Sequence, residues 1–128
     1  MKLLLDTHTI LWMVNEHEKL SSNAKALLAN DEHTLFISIV SLWEIAIKAS
    51  LGKLAGLSGG VGALIAHIDH MPVTIYPISP AHVEAVESLP FIHRDPFDRI
   101  LIATAMTDGM TIVTADGNIK KYSVSCFW

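Results

Sequence analysis

Short apolar runs bounded by polar or turn residues alternate along this chain with stretches in which apolar positions recur every three or four residues. The first kind predicts strands buried on both faces, and the second predicts helices packed over them. Lys2–Leu5, Thr34–Ser38, Val73–Ile78, Met110–Thr114 and Ser123–Trp128 read as strands. Pro72 and Pro77 place the third at a sheet edge, because proline cannot donate to a strand ladder. Helices are expected from about Thr9 to Asn15, from an N-cap at Ser22 through Ala29, and from Ser41 to Leu51 with Gly52 as the stop. Others are expected over Val61–Ile68, from the N-cap Ser79 to just before Pro90, from the N-cap Asp95 to Thr107, and as a short piece over Ile119–Tyr122. Ser41-x-x-Glu44 matches a capping box, and the helix it opens is apolar on nearly every side, which predicts burial. Lys53–Gly62, with four glycines, is the expected mobile loop. Strand and helix in alternation predict an α/β fold with a central, mainly parallel sheet flanked by helices, built as one domain over residues 1–128.

Composition narrows the class. With 51% hydrophobic and 17% charged residues, the chain is too apolar to be intrinsically disordered. Its longest uninterrupted apolar run, Ile10–Val14, is far short of the ~20 residues that cross a bilayer. Asp6 cuts off any signal-peptide core, so a cytoplasmic protein with no membrane span is expected. The single cysteine, Cys126, forms no internal disulfide and reads as a buried, inert thiol. A net charge of −4 argues against holding nucleic acid on a broad basic surface. It is compatible with acids gathered around divalent ions, so where the acids sit matters more than their number.

Four of them fall at one place. Asp6 and Asp116 lie just beyond the ends of the first and fourth strands, and Glu44 and Asp98 lie in the first turns of helices starting from that edge. The carboxyl ends of parallel strands form the ligand crevice of such sheets, so the four side chains are expected to converge. Oxygen donors of this kind suit Mg2+ or Mn2+. Each acid has a plainer role in isolation: Glu44 in a capping box, Asp98 at a helix dipole, Asp6 and Asp116 in turns. Together they repel, at about 3 kcal/mol per pair for ~5 Å and an effective dielectric near 20, which calls for a cation or raised pKa values. Of two competing signals, His67-x-x-His70 reads as a solvated helix face. Asp6-Thr7-His8 suggests an aspartyl-phosphate phosphatase, but His8 stands where that chemistry needs a second aspartate.

The motifs also carry a resemblance. Leu4-Leu5-Asp6-Thr7-His8, Ser38-x-x-Ser41-x-Trp43-Glu44-Ile45-Ala46-Ile47-Lys48, His93-Arg94-Asp95-Pro96-Phe97-Asp98-Arg99-x-Leu101-Ile102-Ala103 and Val113-Thr114-x-Asp116 closely resemble the PIN-domain family, in particular the VapC toxins of bacterial toxin–antitoxin pairs. The resemblance spans essentially the whole chain. It implies a PIN-like three-layer sandwich and an Mg2+- or Mn2+-dependent endoribonuclease that cleaves RNA phosphodiester bonds with an activated water. Asp6, Glu44, Asp98 and Asp116 become its catalytic and metal-binding residues. Asp95 is a fifth acid or only the helix cap, the cap being favoured. Thr7, Ser41 and Thr114 look like neighbours that orient the acids and bound water by hydrogen bonding. Lys48, His93, Arg94 and Arg99 are the cations nearest the acids in sequence, placed to hold RNA phosphates. The resemblance further implies a homodimer and a cognate VapB-like antitoxin, in keeping with three tryptophans and five methionines in so small a chain. A reading of another class, a noncatalytic RNA-binding module, would be expected to have lost at least one of the four acids.

Overall fold

The computed structural model describes residues 1–54 and 57–128. Five strands, β1 (Lys2–Leu5), β2 (Thr34–Ser38), β3 (Val73–Tyr76), β4 (Thr111–Val113) and β5 (Cys126–Phe127), form one sheet in the order β3-β2-β1-β4-β5. Every pairing is parallel. Helices α1 (Thr7–Asn15), α2 (Ser22–Ala29), α3 (Ile39–Ser50), α4 (Gly60–Ile68), α5 (Pro80–Ser88) and α6 (Pro96–Asp108) connect and cover the strands, giving the expected α/β sandwich. β3 is an edge strand, as its flanking prolines predict.

Side chains alternate across a strand, so β1 feeds two cores. Leu3 and Leu5 join Ile37 and Val113 under Ile10 of α1, Ile45 of α3 and Leu64 of α4. Leu4 joins Ile112 on the other face, under Leu101, Ile102 and Ala105 of α6. Burial on both faces explains why these strands read as unbroken apolar runs. The order of strands also fixes where a ligand crevice falls. From β1 the chain moves outward to β2 and β3, then crosses back to lay β4 on the other side, so the crossover direction switches between β1 and β4.

Several local expectations are corrected. α2 is capped by Ser21, whose hydroxyl accepts from Ala24 N–H at 2.9 Å, not by Ser22. α1 begins at Thr7, capped by Asp6, two residues before the expected start. α3 begins directly after β2, with Ser38 as the cap accepting from Val40 N–H at 3.1 Å, so Ser41 lies inside the helix and Ser41-x-x-Glu44 is no capping box. Nor is α3 buried all round: Trp43 and Leu51 are each 61% exposed. With Ile39, Ile78, Val83, Phe97 and Ile100, Trp43 lines an apolar groove of about 380 Å3. The glycine-rich loop expected over residues 53–62 is cut short by α4, and its residues 55 and 56 lie outside the described residues.

One cluster holds the far side of the sheet together. Asp108 Oδ2, in the last turn of α6, accepts from the Tyr76 hydroxyl at 2.6 Å and bonds His82 Nε2 at 2.7 Å. His82 Nδ1 accepts the Ser79 N–H at 2.9 Å, completing a capping box with histidine in place of the usual Glu or Gln. Because Nδ1 is an acceptor, the ring carries its proton on Nε2 and donates it to Asp108. The Tyr76 bond, and then the His82 bond, hold the Asp108 carboxyl below its ordinary range against the opposing effect of burial.

Candidate active site

β1 ends at Leu5, and the next residue serves two structures at once. Asp6 is 4% exposed and caps α1, its Oδ1 accepting from Thr9 N–H at 2.8 Å. The Thr9 hydroxyl lies 2.7 Å from the same oxygen and 2.9 Å from the Val113 carbonyl. From the end of β4, the Thr114 hydroxyl donates to Asp6 Oδ2 while accepting the Asp116 N–H at 2.9 Å. Thr114 therefore couples the acids that follow β1 and β4, across the switch point of the sheet.

Glu44 arrives from the second turn of α3 and is also 4% exposed. Thr7 donates to its Oε1 at 2.6 Å, and Lys48, one turn on, to its Oε2 at 2.5 Å. The bond to Glu44 raises the Lys48 pKa against the cost of burial, with Asp95 and Asp98 adding to it. Asp98 stands in the first turn of α6 and accepts from His93 Nε2 at 2.8 Å. Burial pushes its pKa up to about 6; the His93 bond opposes the rise, and the charges of Asp95, Asp116 and Glu44 add to it. Asp116 Oδ1 accepts the Asn118 N–H at 2.8 Å, and the side chain is half-buried.

These groups surround one pocket of about 110 Å3, lined by Asp6, Glu44, Asp95, Asp98 and Asp116 together with Thr7, His8, Lys48 and His93. Asp95 does cap α6, accepting from Phe97 N–H at 2.8 Å, yet it lines the pocket as well. Ligand atoms of His93, Asp98 and Asp116 lie within 4.8 Å of one another, a spacing that one ion can bridge. Five carboxylates against one lysine leave a surplus of negative charge, which adds to the rise that burial imposes on the Asp98 pKa. Oxygen donors in that number fit a hard divalent cation such as Mg2+ or Mn2+.

Other sequence candidates fall elsewhere. Arg99 is 8% exposed and turned inward: its guanidinium donates to the Pro90 and Val86 carbonyls and the Tyr122 hydroxyl, and it lies 4.8 Å from the Phe91 ring centroid. It braces the segment leading into α6 and is removed from the cations expected to meet a phosphate. Lys48 and His93 face the acids, and Arg94 is exposed beside the pocket rim in sequence. The Ser41 hydroxyl is buried without a hydrogen-bond partner among the described residues, so it bonds none of the acids directly. Thr9 carries no sequence signal of its part in the site, because nothing local shows that a threonine near a helix start reaches back to the cap. Cys126 is half-buried, and burial raises its thiol pKa, in keeping with an unreactive group.

Known proteins resemble this chain in sequence and in fold. Ribonuclease VapC22 of Mycobacterium tuberculosis (strain ATCC 25618 / H37Rv) is 26% identical over 121 residues, 94% of this chain and 91% of the relative. VapBC2 from Rickettsia felis, solved bound to a DNA fragment from its promoter, superposes with a TM-score of 0.73 at 18% identity, covering 99% of this chain and 98% of the other. DNA-bound VapBC from Salmonella typhimurium gives a TM-score of 0.70 at 14% identity, covering 99% and 97%. The PIN domain family model matches residues 3–124, from within β1 past Asp116, and this chain therefore belongs to the PIN domain family.

Proposed function

We propose that this protein is a divalent-metal-dependent endoribonuclease and the toxin half of a toxin–antitoxin pair. The observation that carries the reading is the meeting of Asp6, Glu44, Asp98 and Asp116, from four separate elements, around one pocket at the switch point of a parallel sheet. Its likeness to a VapC ribonuclease over 94% of the chain supports the same substrate class, and the likeness to VapBC complexes supports a VapB-like partner.

Asp6, Glu44, Asp98 and Asp116 would hold Mg2+ or Mn2+, with Asp95 at the rim. When bound, the ion supplies an acidified water and Lewis-acid stabilisation of the phosphate. The chain's own part is positioning. Thr9 and Thr114 fix both oxygens of Asp6, and Thr7 fixes Glu44, so these carboxylates need little reorganisation on binding. His93 Nε2 is hydrogen-bonded to Asp98 Oδ2 and stands beside the pocket with Lys48, where both can meet phosphate oxygens. The exposed apolar groove around Trp43 and Phe97 fits a chain that associates with a second copy.

Purified protein incubated with total cellular RNA should cleave it in Mg2+ or Mn2+ and leave it intact in chelator. Equal degradation in chelator, or none with either ion, removes the enzymatic reading. Expression alone should arrest growth of the host, and coexpression of a small protein encoded beside the gene should relieve the arrest.

A further inference from the structure

Beside the acidic pocket stands a wall of different chemistry. A cavity of about 230 Å3 is lined by Asp6 and Asp116 on one side and by His8, Trp12 and Ala115 on the other. His8 is exposed and lines both this cavity and the acidic pocket. Its ring centroid lies 5.7 Å from that of Trp12, one turn along α1, and Trp12 meets Trp128 edge-on at 5.6 Å. Trp128 packs against the hydrophobic core, so the row of rings is anchored at its inner end and open at its outer end. Among the described residues, Trp12 belongs to neither core cluster. Past this ridge a second groove, of about 220 Å3, takes in His8 and Trp12 again and brings Lys19 and Lys53 to its wall. Glu16 lines that groove too and pairs with Lys19 at 2.6 Å, so the order along the surface is carboxylates, aromatic rings, then a groove in which Lys53 is the cation without an ion pair among the described residues.

Single-stranded nucleic acid is held by that combination, because every base offers a π-face and every linkage a charge. A chain of net charge −4 has no general attraction for RNA, so retention at the site must come from local contacts. We propose that His8 and Trp12 form a stacking ledge for a base of single-stranded RNA next to the scissile phosphate, with Lys53 receiving the phosphate beyond it. The inference rests on the nuclease reading for the place of the scissile bond.

The test uses an Asp98→Asn background, which leaves the RNA uncut, and a short single-stranded oligoribonucleotide in Mg2+. Tryptophan fluorescence should be quenched on binding; Trp12→Phe should remove most of the quench, and Trp43→Phe, in the apolar groove that shares no lining residue with the ledge, should leave it. Trp12→Leu should weaken binding roughly five- to hundredfold, the range expected for loss of one base stack, and Trp12→Phe should restore most of it. With Asp98 intact, Trp12→Leu should raise KM far more than it lowers kcat. Should Trp12→Leu fail to fold, His8→Ala at an exposed position should still bind several-fold more weakly. Unchanged affinity in the folded variants overturns the ledge, as does a quench that survives Trp12→Phe. It is equally overturned if the variants bind RNA normally but lose suppression by the antitoxin, since the rings would then be a protein contact. A wild type that cleaves no RNA while the Trp12 quench persists would instead overturn the nuclease reading and leave the ledge standing.

Discussion

Asp98 carries the clearest electrostatic consequence of any single residue. Its pKa, 3.8 in an ordinary setting, is pushed up to about 6, so between these values the folded state binds more protons than the unfolded one. Stability therefore falls as pH rises through that window, and the loss persists above it. Asp98→Asn should melt higher than the wild type in chelator at neutral pH, with the difference vanishing below about pH 4; equal melting at both would mean that burial and its acidic neighbours do not hold the Asp98 carboxyl above its ordinary range. The same substitution should abolish RNA cleavage in Mg2+, because an amide is nearly isosteric but a poor ligand for a hard cation. At this scale the sequence was most legible for residues whose position follows from an element boundary. Asp6 and Asp116 follow strands, and Asp98 follows a Pro-marked helix start, so all three were placed by their neighbours. Glu44 was placed for a mistaken reason, since the helix begins three residues earlier and its second turn, not its first, reaches the pocket. Arg99 was misplaced because the carbonyls that satisfy it come from a segment whose path no local pattern encodes.

Between elements, the Ser79–His82–Asp108–Tyr76 cluster ties β3, α5 and α6 without touching the acidic pocket. His82→Ala leaves the Ser79 N–H without its partner and the half-buried Asp108 carboxylate with the Tyr76 bond alone, and should cost about 1–3 kcal/mol of stability, measured by urea unfolding. His82→Gln keeps a side chain able to accept the capping N–H and should cost less. RNA cleavage should survive in both at a temperature where they remain folded; a loss of cleavage matching that of Asp98→Asn would mean that the cluster supports the site directly. Strands and helices were legible because burial on both faces writes itself as apolar runs and caps as Ser-Pro, Asp-Pro and Gly signals. Helix starts were less so: Ser38 and Ser41 are equally good caps on paper, and only the tight passage from β2 into α3 selects the first. The histidine in the capping box was invisible for the same reason, since its second ring nitrogen is engaged by a residue 26 positions away.

For the molecule as a whole, gathered carboxylates and exposed apolar surface set the expectations. Mn2+ at millimolar concentration should raise the melting temperature of the wild type well above its value in chelator and raise that of Asp98→Asn much less. In solution, light scattering should give twice the chain mass of 14.0 kDa. Trp43→Asp should bring it down to the single-chain value by placing a charge in the apolar groove. The groove itself was beyond a sequence reading: α3 looked apolar on every side, and only the packing of α5 and α6 decides which side stays uncovered. The strand order has a consequence in time as well as in space. β1 finds one neighbour in β2 early, but its other neighbour, β4, lies near the far end of the chain, and Thr114 reaches Asp6 across 108 residues. During synthesis, at about 5–20 residues per second, the growing chain can pair β1, β2 and β3 while the opposite edge of β1 stays bare. The acidic pocket is thus closed only when Thr114 and Asp116 have been added, and a polypeptide halted before them would carry Asp6, Glu44 and Asp98 without their partner across the switch point.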